Sequence, residues 1–165
     1  MGLSEAAALA EQYAGEGKER ELAALRVEWD DEIEAAARDS DYRTRALAYR
    51  SLAQFRFRKK FELLRRGLDD ESPGVRGSAL LALESFSRGH PGDINSLRPL
   101  LHELVARDPN QAVRRLAALC FKNGTPARET IQILDSISAD DEADAELRKT
   151  ARSVAALLTK KAKAR

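Results

Sequence analysis

The chain has 165 residues, of which 28 are Lys or Arg and 27 are Asp or Glu, giving a formal net charge of +1. Charged residues make up 33% and hydrophobic ones 43%, which excludes the compositions of disordered, collagen-like and membrane chains. No apolar run approaches the ~20 residues of a membrane span. The opening residues show no basic patch followed by an apolar stretch, and the single Cys120 leaves no intrachain disulfide or multi-cysteine metal site. One soluble domain over residues 1–165, in a reducing cytoplasmic setting, is the expectation.

In chain order, an alanine-rich segment over about 3–15 predicts a capping helix, and a charged helix follows over about 18–37. Asp41 is placed to cap the next helix, through an oxygen that accepts from a free backbone N–H. Ser72-Pro73, Asp108-Pro109 and Thr125-Pro126 predict further starts, because a proline in the first turn has no N–H to lose. Asp41 and Asp93 are both weaker starts than these three. Stops are expected at Gly89–Gly92 and Asn123-Gly124. No window alternates apolar and polar residues long enough for a strand, so the chain is expected to be all-α.

Four segments repeat a pattern: Tyr42-Arg43-Thr44-Arg45-Ala46, Val75-Arg76-Gly77-Ser78-Ala79, Val113-Arg114-Arg115-Leu116-Ala117 and Leu147-Arg148-Lys149-Thr150-Ala151. Their starts are 33, 38 and 34 residues apart. Each opens with a large apolar residue and an Arg, reaches Ala four places on, and follows acidic residues. Amphipathic spacing precedes them, as in Phe61-Leu64-Leu68, Leu97-Leu100-Leu101-Leu104 and Ile131-Ile133-Leu134-Ile137. A recurrence of this length signals stacked helix pairs.

This pattern resembles the HEAT repeat, in which a helix, a turn with Asp and a second helix opening on Val-Arg form one unit. The resemblance implies a right-handed α-α superhelix of about four helix pairs behind an N-terminal capping helix. The pairs fall at about 18–55, 56–88, 93–123 and 125–160. Ala46, Ala79, Ala117 and Ala151 are expected to let helices approach closely, with Tyr42, Val75, Val113 and Leu147 plugging the seams. Arg43, Arg76, Arg114 and Arg148 resemble the structural ladder of that family. HEAT-like DNA glycosylases are similar only in repeats and basic residues, and no catalytic residue carries over.

Charge is segregated although it cancels overall. Residues 1–41 net −8, residues 42–66 net +8, residues 135–146 net −6 and residues 147–165 net +7. The +8 block interleaves Arg and Lys with Tyr49, Phe55, Phe57 and Phe61. Arg56, Arg58, Lys59 and Lys60 are therefore candidate contacts to a phosphate backbone, unless the acidic segment around Asp30 and Glu34 neutralises them. The second helix of each unit offers another surface, where Leu81, Leu116 and Leu119 either meet an apolar partner or complete the core, and where Arg45, Arg50, Arg115 and Lys122 are placed for an acidic partner. The expected role is a non-catalytic protein-interaction module, with nucleic-acid binding as the alternative. His90 and His102 stand 12 residues apart with no Cys or further His at ligand spacing. Cys120 shares a repeat position with Tyr49, Ala82 and Val154, and Trp29 lies on an amphipathic helix; core packing is expected for both. No catalytic residue, metal or cofactor is expected.

Overall fold

The computed structural model describes residues 1–165 and contains helices and turns with no strand. Ten α-helices follow in order: α1 (Leu3–Gly15), α2 (Glu19–Ala36), α3 (Tyr42–Gln54), α4 (Phe61–Gly67), α5 (Pro73–Ser87), α6 (Pro91–Asn95), α7 (Arg98–Arg107), α8 (Gln111–Cys120), α9 (Arg128–Ser138) and α10 (Ala145–Lys163). Short 3-10 turns stand at Arg58–Lys60 and Phe121–Asn123. The helices take a HEAT-like repeat arrangement in which α2 packs on α3, α7 on α8 and α9 on α10. No helix is long and apolar enough to cross a membrane.

The chain divides into two compact units, Met1–Ala82 and Leu83–Arg165, with the division inside α5. In the first unit α1 covers both α2 and α3. Its Ala6, Ala7 and Ala10 are buried, a small-residue face suited to close helix contact. The buried stripe of α2 runs Leu22, Leu25, Trp29 and Ile33, the spacing of one helical face. Trp29 is thus core, although its Nε1 has no hydrogen-bond partner. Gly67 ends α4 against the buried ring of Tyr49; a Cβ there would stand 2.6 Å from Tyr49 Cε1. Gly67→Ala is therefore expected to lower the urea midpoint, because a buried ring would have to shift to admit the methyl. In the second unit α10 packs on α8 and α9. Leu101, Leu134 and Phe121 are among its fully buried side chains.

The seam residues sort unevenly. Ala79, Ala117 and Ala151 are fully buried and Ala46 nearly so, and Val75, Val113 and Leu147 are buried too. Tyr42 departs from this set. It is 51% exposed, with the Arg43 guanidinium over its ring at 5.6 Å, so it plugs no seam. An amphipathic phenol can keep one edge in water where valine cannot. Cys120, Tyr49, Ala82 and Val154 are all buried, and burial pushes the Cys120 thiol far up.

Three helix starts also shift. Asp41 caps α3 by accepting from Arg43 N at 2.9 Å, and α5 opens on Pro73. At Asp108-Pro109, however, the cap is Asn110, which accepts from Val113 N at 3.0 Å, while Asp108 accepts from Asn110 N at 2.9 Å. Thr125-Pro126 starts no helix, and α9 begins at Arg128. Thr125 is already engaged by Asn95 Nδ2, which donates to its hydroxyl at 2.9 Å, and by Arg98 Nη2, which donates to its carbonyl at 2.9 Å. Asp93 lies inside α6, whose cap position is His90. The acidic loop before the last helix has a local role: Asp144 caps α10 by accepting from the N–H groups of Glu146 and Leu147.

Candidate functional site

Ala23, Arg26, Val27 and Asp30 follow i, i+3, i+4 and i+7 spacing, so they share one face of α2. Opposite them runs the connection from α3 to α4. Helix α3 closes with Arg56 N donating to the Ala53 carbonyl and Phe57 N donating to the Leu52 carbonyl, both at 3.0 Å. That pair of bonds is a Schellman closure, which needs a left-handed residue after the helix cap. Arg56 occupies that position at φ 50°, where glycine carries no side-chain penalty. The connection and the α2 face enclose a cleft of about 400 Å³ lined by Ala23, Arg26, Val27, Asp30 and residues 56–59. Arg26 Nε donates to the Phe55 carbonyl at 2.7 Å, which fixes its guanidinium at the wall. Val27 is 81% exposed, the most open large aliphatic side chain of the chain's helices.

The four candidate phosphate contacts divide. Arg56, Arg58 and Lys59 are exposed and line the cleft. Lys60 instead turns to α2, where it bonds Asp30 and stands 2.7 Å from Glu34 Oε1, above the Phe57 ring. Burial works against its charge, but the Asp30 and Glu34 carboxylates outweigh that and raise its pKa. The acidic helix therefore neutralises Lys60 and leaves Lys59 without an ion pair. The aromatic residues of the same block are mostly core: Tyr49, Phe55 and Phe57 are buried. They offer no open face on which a base can stack.

Arg45, proposed for an acidic partner, is held internally. Its side chain is 12% exposed and forms a two-pronged pair with Asp70 at 2.9 and 3.0 Å. Its Nη1 also donates to the carbonyls of Asp39 and Ser40. Burial opposes the charge on Asp70, but the bonds from Arg45 and from Ser72 N hold its pKa below the ordinary carboxylate value. Arg45 therefore ties α3 to the turn after α4, with its fork matched to a carboxylate. Arg50 is exposed on α3. Leu81 is 50% exposed on α5, beside the buried Leu80, Ala82 and Leu83.

In the second unit Arg115, Leu116 and Leu119 are half-buried on α8, and Arg115 Nε is buried without a hydrogen-bond partner. Lys122 stands 3.1 Å from Glu84, which also pairs with Arg88 at 2.7 Å. Those partners, Arg88 foremost, hold the Glu84 carboxyl at about 2 against the burial that would raise it. Among the ladder residues, Arg76 Nη1 donates to the Asp70 carbonyl at 2.8 Å and Arg114 Nε to the Val105 carbonyl at 2.8 Å. Arg43 stands 3.6 Å from Asp41, and Arg148 stands 4.0 Å from Asp141.

His90 is exposed ahead of α6. His102 Nε2 lies 2.8 Å from the Thr130 hydroxyl, which also accepts from Arg98 Nη1 at 2.7 Å. Burial lowers the His102 pKa, so the neutral ring is the favoured form. Thr130 is fully buried, and this knot fastens α7 to α9. Its geometry is that of a satisfied packing contact between two helices.

Residues 31–103 match the family model described as HEAT repeats. No curated protein and no solved structure matches the chain. HEAT repeats generally mediate protein–protein interaction, and proteins built from them are typically non-catalytic scaffolds.

Proposed function

We propose that this chain, whose residues 31–103 match the family model of HEAT repeats, is a non-catalytic interaction module, an adaptor, assembly factor or antagonist that presents a preformed helical surface to another protein. Leu81 carries the reading. It is a large aliphatic side chain, half open to water, on a repeat helix whose neighbouring residues are fully buried. Water contact at such a side chain is unfavourable, by roughly 25 cal/mol for each Å² that a partner would cover. On α8, the half-buried Leu116 and Leu119 beside the orphaned Arg115 Nε give the second unit a comparable mixed face. Rigid helices bind without a large ordering cost, which favours specificity through shape and charge.

The test is co-purification with an affinity-tagged chain from its native cell, read by mass spectrometry and repeated with Leu81→Glu and Leu116→Glu. The expected result is a partner protein captured by the wild-type chain and lost with Leu81→Glu. The melting temperature of that variant should barely move, since exposed substitutions typically stay within about 0.5 kcal/mol. Capture of no protein above background, or capture indifferent to both substitutions, would contradict the reading.

A further inference from the structure

We propose that the cleft between the α2 face and the α3–α4 connection is a binding site for an acidic peptide segment carrying one large apolar side chain. The site shares no residue with the Leu81 surface and is tested separately from it. Three observations converge on that occupant.

The first is charge. Arg26, Arg56, Arg58 and Lys59 line the cleft against a single carboxylate, Asp30, and Lys60 already bonds that carboxylate from outside the lining. Arg58 has a partner within the protein, which leaves Arg56 and Lys59 as exposed cations without one. Anions are the chemistry this rim accepts, at a strength that falls as salt screens the charges.

The second is the floor. Ala23, Val27 and Phe57 give the cleft its apolar lining, and Val27, on the exposed side of α2, lies roughly opposite the buried Trp29. A free phosphate would leave this floor wet. A peptide that sets an aliphatic side chain on Val27 and carboxylates on the rim would use both halves. The buried aromatics next to the cleft give a single-stranded nucleic acid nothing to stack on.

The third is Arg56 itself. The left-handed position after α3 is one where glycine fits without cost, and here it holds a guanidinium at the cleft mouth.

Fluorescence anisotropy with the full chain tests this, using a short labelled peptide of Asp and Glu around one central Leu. The proposal predicts saturable binding at low salt that weakens at least about tenfold in both Arg56→Gly and Lys59→Glu. Replacing the peptide's Leu by Ala should weaken it as well, while Leu81→Glu leaves it unchanged. Arg56→Gly is the informative variant, because its melting temperature should hold or rise while its affinity falls. Absence of saturable binding at low salt would overturn the proposal. So would binding indifferent to both substitutions, or a labelled oligo-dT that binds more tightly than the peptide with the same sensitivity.

Discussion

Replacing Glu84 by Gln is expected to destabilise the protein by about 2 kcal/mol at neutral pH, and the loss should vanish in acid. Glu84 lies near the end of α5, with its side chain 13% exposed, and gathers Arg88, Lys122 and Asn123 around one carboxylate. Asn123 Nδ2 also donates to the Glu84 carbonyl and to the Ser87 hydroxyl, both at 3.0 Å, so the carboxylate sits where the α5 end meets the turn after α8. Lowering the carboxyl from 4.5 to about 2 corresponds to roughly 3 kcal/mol at 1.36 kcal/mol per unit. The exposed Arg88 arm is screened by water, which reduces the expected loss to about 2.

The pH dependence has a definite sign. The folded carboxyl holds its proton less tightly than the unfolded one, so the stabilisation is complete above pH 4.5 and fades as pH falls towards about 2. Urea titrations of wild type and Glu84→Gln should therefore differ at pH 7 and converge near pH 2. A gap that stays constant across that range would mean that Glu84 acts through shape alone. The half-buried His102 acts in a higher window. Its lowered pKa makes the fold lose stability as pH drops below the ordinary histidine value, in wild type and variant alike.

Ala117→Leu should cost about 2 kcal/mol or more, from overpacking rather than lost charge. Ala117 is fully buried on α8, which packs on both α7 and α10. Added methylenes there meet neighbours on two sides, and close-packed interiors relax only by shifting backbone or forcing poor rotamers. Ala112 is on the same helix but exposed. Leucine at that position changes no packing and should leave the urea midpoint nearly unmoved. The contrast within one helix separates helix propensity, in which Ala and Leu differ little, from burial.

What could be read in advance was local. The α2 and α3 boundaries followed from composition and from Asp41, and the alanine positions followed from periodicity, because such signals act within a few residues. Arg45 shows where that reading ends. Its spacing placed it on an open face, yet its partner Asp70 lies 25 residues away, and no local pattern announces the pair. Thr125-Pro126 had the form of a helix start, and was overridden by Asn95 at the end of α6 and Arg98 at the start of α7. The basic block was visible at once, but its split into a neutralised Lys60 and an exposed Lys59 depends on which side of the 3-10 turn faces α2. One clue to the cleft did stand in the sequence. Val27 falls outside the Leu22-Leu25-Trp29-Ile33 stripe, so an aliphatic side chain on the far side of an amphipathic helix was already conspicuous.

Equilibrium urea denaturation of Ala46→Leu, Ala79→Leu, Ala117→Leu and Ala151→Leu, one at a time beside Ala112→Leu, tests the repeat most directly. Four equivalent positions in four copies of one unit should each lose at least about 1 kcal/mol, with the Ala112→Leu control unchanged. If any of the four behaved like the control, those residues would not occupy equivalent places, and the repeat would not organise this chain.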